Sequence, residues 1–180
     1  MPEALLRRDL YLEKPGPRNT DQVVRAVVDR MRETGIRTVV VASDSGETAV
    51  RLARAAGKVK LVVISMERLK PSHKTLLEKS GAIVFEHCKP AFWKFPHLRE
   101  VYYTLGQGFK VAAEVIMMAA ERGAVREGEE VIGVGGTGRG ADTAIVAKAA
   151  RPGSATRGEV GKRFEVREII VMPRKKKWWE

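Results

Sequence analysis

The stretch that decides the fold is residues 38–54, TVVVASDSGETAVRLAR. It opens with consecutive valines, which favour a strand buried on both faces. A short polar loop containing Gly46 follows, and the rest carries apolar residues at helical spacing before Gly57. A strand, a loop and a helix in this order predict an α/β fold.

The same alternation of strand-like and helix-like segments extends in both directions. Apolar runs predict strands at 8–13, 37–42, 59–65, 81–86, 130–134, 143–149 and 166–172. Helices are predicted from Asn19 or Thr20 to Gly35, from 46 to 57, over 72–80 with Ser72 as its cap, and over 107–122. The final two strands lack a connecting helix, so we expect part of that edge to be antiparallel. One α/β domain over residues 1–180 follows, a three-layer sandwich with a mostly parallel sheet and a mobile basic tail at 174–180.

Composition narrows the class of protein. Apolar residues make up 44% of the chain and charged residues 31%, which is typical of a soluble globular protein. No apolar run reaches the length of about 20 residues that crosses a membrane, and residues 1–8 do not resemble a secretory signal. Cys88 is the single cysteine, which excludes an intrachain disulfide and a cysteine-cluster metal site. We therefore expect a cytoplasmic protein without membrane contact.

The charge is strongly positive. The formal net charge is +11, so phosphorylated partners of several kinds are favoured. Only three side chains are amides (Asn19, Gln22 and Gln107), while Arg, Lys and Glu are abundant. This composition is typical of hyperthermophile proteins and predicts a high melting temperature.

The loop after the 37–42 strand has the features of a phosphate cradle. Hydroxyl groups and the unpaired amides at the start of a helix both bind anions. We predict contacts with a ligand from Ser43, Ser45, Gly46 and Thr48. The alternative is that Ser45 or Asp44 simply caps the helix.

A second glycine-rich loop covers residues 133–143, GVGGTGRGADT. Its glycines allow close approach to a ligand, and Arg139 can bind phosphate through two hydrogen bonds. A strand follows it instead of a long helix, which argues against dinucleotide binding. The alternative is a wide hairpin in which Arg139 pairs with Asp142. The predicted ligand contacts are Gly135, Gly136, Thr137, Gly138, Arg139, Gly140, Ala141, Asp142 and Thr143.

Both loops follow strands of the predicted parallel sheet. The carboxyl ends of such strands are where open α/β sheets bind ligands. We therefore predict that the two loops form one pocket for a phosphorylated small molecule.

Two features near the predicted 107–122 helix allow more than one interpretation. Glu114 lies in an apolar stretch and needs a partner, which is either Lys110 one turn earlier or a ligand. The aromatic residues of 92–103 either stack on a bound ring or pack a long loop. We predict no catalytic residue.

Residues 38–54 resemble the strand, loop and helix of the pyruvate kinase C-terminal domain. Most of residues 8–175 further resemble a family of stand-alone pyruvate-kinase α/β-domain-like proteins of unassigned function. This likeness implies bound flavin mononucleotide (FMN) and adds Asn19 and Thr20 to the candidate site. Glu47 stands where pyruvate kinase effector loops usually carry Arg or Lys, which argues against a sugar bisphosphate effector. The matching residues are 14–16, 19–20, 39–43, 108–111, 114, 116–120, 134–136, 139–144 and 168–174.

Three further possibilities stay open at this point. A flavin-dependent oxidoreductase would use the implied cofactor for its chemistry. A nucleic-acid-binding module would use the +11 charge and Trp178-Trp179, although a solvated basic chain end is the favoured interpretation. A homo-oligomer is expected because the pyruvate kinase domain assembles through its surfaces.

Overall fold

Residues 7–177 are described by a computed structural model. Within them, a seven-stranded sheet has the strand order β1-β7-β6-β5-β2-β3-β4. The strands are β1 (Leu10–Leu12), β2 (Thr38–Ala42), β3 (Lys60–Ile64), β4 (Ile83–Phe85), β5 (Glu130–Gly135), β6 (Thr143–Lys148) and β7 (Glu165–Pro173). The α-helices are α1 (Thr20–Thr34), α2 (Glu47–Ala56), α3 (Pro71–Lys79), α4 (Pro96–Tyr103) and α5 (Gln107–Glu121). Short 3-10 turns cover Pro17–Asn19, Ala91–Trp93 and Pro152–Ser154.

The sheet is mostly parallel. Strand β2 pairs in parallel with β3 and β5, β3 pairs in parallel with β4, and β1 pairs in parallel with β7. Strand β6 is antiparallel to both of its neighbours, β5 and β7. The expected antiparallel edge is therefore confirmed, and it arises because β5, β6 and β7 are joined without an intervening α-helix.

Helices cover both faces of the sheet. Val39 and Val41 of β2 belong to one apolar core together with residues of α1, α2 and α3. Val40 points to the other face and belongs to a second core with α5. Successive strand residues alternate between faces, so these valines are buried by different helices. The fold is the predicted three-layer α/β sandwich.

Helix α5 lies close to β5 because two glycines leave room for it. A Cβ at Gly133 would lie 2.5 Å from Cδ1 of Ile116, and one at Gly135 would lie 2.3 Å from the carbonyl oxygen of Gly108. Such distances are well inside normal contact, so a side chain at either position would push the helix away. The packing places the first turn of α5 beside the carboxyl end of β5.

Two local predictions need correction. Helix α3 begins at Pro71 with Lys70 in the cap position, so Ser72 is not its cap. Proline suits the first turn because the missing amide would have no helical partner there. Asn19 precedes α1, but its side-chain amide donates to the carbonyl oxygen of Lys14 and makes no capping bond.

The poorly patterned stretch 87–104 contains a 3-10 turn and α4. Its aromatic residues pack against each other and against α5: the rings of Phe92 and Tyr102 are stacked at 5.5 Å, and Tyr102 lies 5.9 Å from Phe109. Phe92 is completely buried. Loop packing, one of the two interpretations of this stretch, is what Phe92 and Tyr102 do, whereas Trp93 is 64% exposed.

The first part of the basic C-terminal segment is attached to the sheet. The amides of Arg174 and Lys175 donate to the carbonyl oxygens of Leu12 and Glu13, which extends the pairing of β7 with β1. These contacts differ from the expectation of a mobile tail, whose last residues, 178–180, lie outside the described range. Among residues 7–177, no helix has the length and apolar character needed to cross a membrane.

Candidate functional site

Asp142 organises the second glycine-rich loop, which joins β5 to β6. Its carboxylate accepts hydrogen bonds from the amides of Thr137 (2.9 Å) and Gly16 (3.3 Å) and from the hydroxyl of Thr143 (2.8 Å). The Asp142 side chain is completely buried. A buried carboxylate needs such donors, so Asp142 ties its own loop to the turn before α1.

The hairpin in which Arg139 pairs with Asp142 is not observed. Arg139 is exposed to solvent, and the Asp142 carboxylate instead accepts from the two amides and the hydroxyl described above. The carboxylate points into the protein, because the backbone amides that donate hydrogen bonds to it lie beneath the loop. Arg139 is left on the outer surface.

The glycines of the second loop are required by chain packing. A Cβ at Gly136 would lie 2.0 Å from the carbonyl oxygen of Gly140, and a Cβ at Gly140 would lie 2.5 Å from Oγ1 of Thr20. Gly138 and Gly140 also have φ values of 81° and 75°, which favour glycine. The number of glycines in this loop therefore follows from the fold and does not by itself require a ligand.

Thr20 connects the start of α1 to the same loop. Its hydroxyl donates to the carbonyl oxygen of Pro17 (2.8 Å) and accepts from the amide of Ala141 (3.1 Å). The structure thus brings Thr20 together with the second loop, although the two are 121 residues apart.

A narrow cleft lies between the second loop, the start of α5 and the C-terminal segment. It is lined by Pro15, Leu105–Gly108, Thr137, Thr143, Pro173 and Lys175–Lys177. The Lys176 side chain lies against the start of α5, where a Cβ at Gly106 would be 3.0 Å from Cδ of Lys176. The cleft is too narrow to admit a ligand while this side chain fills it.

Lys176 occupies an electrostatically unfavourable place. Burial lowers the pKa of its ammonium group, and the attraction of Asp142 opposes this effect. The ammonium donates a hydrogen bond to the carbonyl oxygen of Pro173 (2.5 Å). Because the amino end of a helix is also positive, an anion in this cleft would be attracted by both groups.

Gln107, in the first turn of α5, lines the same cleft. Its Oε1 atom is buried and has no hydrogen-bond partner among the described residues. A buried acceptor without a donor is uncommon and costs free energy, so a ligand that donates a hydrogen bond would stabilise it.

An open concavity of about 610 Å³ adjoins the cleft. Tyr11, Pro173, Arg174 and Lys176 line it, and Pro173 and Lys176 also line the cleft. The two spaces therefore adjoin each other at Pro173 and Lys176.

The first glycine-rich loop is used by its own helix and by the neighbouring loop. The amides of Ala49 and Glu47 donate to the hydroxyl oxygens of Ser43 and Ser45, each at 3.4 Å. The Asp44 carboxylate accepts from the amide of Met66 (2.9 Å). Gly46 occupies the cap position of α2, so neither Ser45 nor Asp44, the two alternatives given above, is its cap residue, and Asp44 binds the loop after β3.

The first loop also has side chains packed over it. A Cβ at Gly46 would lie 2.8 Å from Cβ of His73, and Nδ1 of His73 lies 2.8 Å from the carbonyl oxygen of Ser45. Thr48 is buried in the first turn of α2. No residue of 43–48 lines the cleft or the concavity. The two loops lie at the same edge of the sheet, on paired strands β2 and β5, but they do not form the single pocket that we predicted.

Glu47 interacts along its own helix. Its carboxylate forms an ion pair with Arg51 at 2.5 Å, and this hydrogen bond lowers the pKa of Glu47, with smaller contributions from Lys70 and His73. The carboxylate is thus charged at neutral pH beside the first loop, which disfavours a phosphate there.

Glu114 has an internal partner. Its carboxylate accepts from the ammonium of Lys110 (2.9 Å) and from the amide of Phe92 (2.7 Å), and both charged side chains are buried. The Lys110 ammonium also lies 5.7 Å from the centre of the Tyr103 ring. The local ion pair is what the structure shows, so Glu114 holds the 91–93 turn on α5 and does not line the cleft.

Of the predicted site residues, Thr137 and Thr143 line the cleft, and Asp142, Thr20, Gly140 and Ala141 support its wall. Sequence reasoning missed Lys176, Gln107 and Tyr11. Lys176 belongs to a basic run that looks like a solvated chain end, and only its attachment beside β1 brings it to α5.

Comparison with known proteins identifies the family. Residues 21–147, more than half of the chain, match the family described as "Pyruvate kinase, alpha/beta domain". The chain belongs to this family. The match begins in α1 and ends within β6, so it covers both glycine-rich loops and α5.

Two solved structures of pyruvate kinase from Cryptosporidium parvum are similar to the chain. The one in complex with ADP is 15% identical, with a TM-score of 0.46, and the match covers 77% of this chain and 25% of that one. The other is 11% identical, with a TM-score of 0.45, and the match covers 77% and 24%. The chain thus matches about a quarter of the length of these enzymes.

Proposed function

We propose that the protein binds a phosphorylated small molecule, with its phosphate in the cleft between the second glycine-rich loop, the start of α5 and the C-terminal segment. The observation that carries this proposal is the position of Lys176 against the first turn of α5. A positively charged side chain and a positive helix end lie together there, and an anion would interact favourably with both.

Other groups around the cleft favour the same ligand class. Lys175 and Lys177 add two cations, and Thr137 adds a hydroxyl, whereas the Thr143 hydroxyl already donates to Asp142. Binding requires the Lys176 side chain to swing out of the cleft and then donate to the phosphate. This movement involves rotation about side-chain bonds of a residue near the chain end and leaves the sheet unchanged.

FMN is the specific candidate, because the family resemblance described above implies it. The donor and acceptor set is compatible with it: lysines for the phosphate and the unpartnered Oε1 of Gln107 for a ribityl hydroxyl or a ring N–H. A bound flavin would supply redox chemistry, and the described residues would bind and orient it. An oxidoreductase activity stays a prediction that reduction of bound FMN by NADH or NADPH would test.

The test is a titration of the purified protein with FMN, followed by quenching of flavin fluorescence, together with the absorbance and mass spectra of any co-purified compound. Lys176→Gln should weaken FMN binding roughly 10- to 150-fold, because a charge-assisted hydrogen bond to phosphate is lost. Lys70→Gln is the matched control, since Lys70 is exposed beside the first loop.

The pair of variants also distinguishes the two loops. A loss in Lys70→Gln with full affinity in Lys176→Gln would place the phosphate at the first loop and overturn the proposed site. Absence of binding by FMN, inorganic phosphate and sugar phosphates would overturn the proposed function.

Three other expectations remain predictions. A homo-oligomer would be detected by sedimentation equilibrium of the full chain. A cytoplasmic location would be tested by cell fractionation, and the high melting temperature by thermal denaturation followed by circular dichroism.

A further inference from the structure

We infer that the concavity beside the cleft binds a planar aromatic ring of the same ligand, with the ring stacked on Tyr11. The inference rests on the proposed function, because it takes the phosphate to lie in the adjoining cleft. It narrows the ligand to phosphorylated compounds that carry a flat aromatic system, such as flavin or purine mononucleotides.

Tyr11 is held in place by the sheet while its ring stays accessible. It lies on the edge strand β1, opposite Met172 of β7, and 51% of its surface is exposed. The hydrogen bond from the amide of Arg174 to the carbonyl oxygen of Leu12 (2.8 Å) fixes the next residue pair. A ring on a hydrogen-bonded strand loses little conformational freedom when a ligand stacks on it.

The residues that line the concavity can bind an aromatic ring and a negatively charged group attached to it. Pro173 supplies an apolar wall, and Arg174 and Lys176 supply cations. Stacking on tyrosine is tolerant of ring type, and an arginine guanidinium can add a stacking or cation–π contact. A single exposed tyrosine has no special meaning, so the cations and the cavity beside it carry the inference.

The size and continuity of the two spaces agree with one ligand. The concavity measures about 610 Å³, within the range of small-molecule sites of roughly 300–1,000 Å³. Pro173 and Lys176 belong to both spaces, so one ligand can place its phosphate in the cleft and its ring in the adjoining concavity.

The aromatic residues of 92–103 are less suitable for this role. Phe92 is buried and stacked on Tyr102, and Tyr102 also contacts Phe109 and Phe164. Of the residues that line the two spaces in the described part of the chain, Tyr11 is the aromatic one.

The experiment compares three probes on the full-length protein: FMN, AMP and ribose 5-phosphate. Tyr11→Ala should weaken FMN or AMP roughly 5- to 150-fold through loss of stacking, and should leave ribose 5-phosphate unchanged. Tyr11→Phe should keep the affinity of the parent protein and the quenching of flavin fluorescence. Which of FMN and AMP binds more tightly then identifies the ring system.

Two control variants test whether a loss of binding is specific to the Tyr11 ring. Trp93→Ala removes an aromatic side chain that is 64% exposed on the 3-10 turn before α4, and binding of all three probes should not change. Tyr11→Leu retains apolar bulk on β1, so a loss of FMN binding with a normal melting curve reports the missing ring and not a damaged strand.

Each outcome has a defined meaning. If FMN and ribose 5-phosphate both bind and Tyr11→Ala retains full FMN affinity, the ring lies elsewhere and this inference fails while the proposed function stands. If ribose 5-phosphate weakens as much as FMN in Tyr11→Ala, Tyr11 does not read the ring and the inference also fails. If none of the three probes binds, both the inference and the proposed function fail.

Discussion

The two glycine-rich loops look alike in sequence but differ in what surrounds them. The first, residues 43–48, is covered by α3 and the loop after β3, and its serines accept amides of α2. The second, residues 133–143, is held from within by Asp142 and forms one wall of a cleft. Both lie at the carboxyl edge of paired parallel strands.

The difference shows that a glycine-rich loop at a strand end does not by itself make a binding site. At the first loop, Gly46 allows a close approach by His73, which belongs to the protein itself. At the second, the glycines allow close contact with α5 and with the turn before α1, and the space for a ligand arises beside them. What separates the loops is which elements of the fold lie next to each one.

Substitution of Gly135, at the end of β5, should destabilise the protein more than substitution of Gly46 in the first loop. A Cβ at Gly135 would lie 2.3 Å from the carbonyl oxygen of Gly108 and 2.6 Å from the amide nitrogen of Ala112, so α5 must move. We expect Gly135→Ala to lower the free energy of unfolding by about 3 kcal/mol or more. Gly46→Ala meets only side chains, although at a φ of 83°, and should cost about 1–2 kcal/mol. Urea denaturation measures both, and equal losses would contradict the difference in packing.

The acidic residues of the two loops form a second matched pair. Asp142→Ala leaves two backbone amides without their buried acceptor, so we expect a loss of about 2–3 kcal/mol in unfolding free energy. Asp44 is exposed, and Asp44→Ala should cost less than about 1 kcal/mol because water replaces its bond to Met66. Thermal melts compare the variants. A larger loss of stability in Asp44→Ala than in Asp142→Ala would mean that the first loop contributes more to folding than the second.

Low pH should destabilise the residues packed beside the first loop, because it protonates Glu86. The Glu86 carboxylate accepts from the ammonium of Lys74 and the amide of Leu69, and these bonds lower its pKa from the ordinary 4.5. A lowered folded-state pKa gives stability that is present above pH 4.5 and is lost as the pH falls through the folded value. At pH 7, the parent protein should therefore have a higher free energy of unfolding than Glu86→Gln, and the difference should be less than about 1 kcal/mol.

This difference should shrink as the pH falls below 4.5 and disappear once the pH is below the folded-state pKa of Glu86. Urea denaturation across this pH range measures it. Glu100→Gln, which changes an exposed carboxylate on α4, is the control and should show no such dependence. A gap between parent and Glu86→Gln that does not shrink as the pH falls below 4.5 would contradict the role given to the ion pair.

Arg139 provides the smallest effect on folding. It is exposed on the outer side of the second loop, so Arg139→Ala should change stability by no more than about 0.5 kcal/mol. Its effect on FMN affinity should be smaller than that of Lys176→Gln, because Arg139 does not line the cleft. Arg68→Ala, at an exposed position near the first loop, is the control. A larger affinity loss in Arg139→Ala than in Lys176→Gln would place the phosphate above the loop.

Local patterns were sufficient to predict most elements of the fold. The valines of 39–41 and the helical spacing after Gly46 depend on residues that are close in the chain, and both elements are present. The antiparallel edge followed from the absence of a helical pattern between the last two strands, which is also a local property. Patterns failed at 87–104. The 3-10 turn and α4 are both short there, and aromatic residues of this stretch pack against α5, which is distant in sequence.

The candidate site was predicted only in part. Thr137, Asp142 and Thr143 were identified because they follow a strand in a glycine-rich loop. Ser43 and Ser45 were identified on the same grounds, but the structure shows that their hydroxyls accept hydrogen bonds from amides in the first turn of α2. Sequence alone could not separate the two cases, because a hydroxyl that caps a helix and one that binds phosphate accept or donate at the same helix end.

The sequence by itself determined the order of strands and helices and the position of two glycine-rich loops at strand ends, since hydrophobic spacing and glycine act over a few residues. The tertiary structure decided which loop borders a cleft and which cation enters it. Those outcomes depend on contacts such as Gly16 with Asp142, 126 residues apart, and on the pairing of β1 with β7 that brings Tyr11 and Lys176 together. Contacts at such separation arise from the packing of the whole sheet, which no short stretch of sequence specifies.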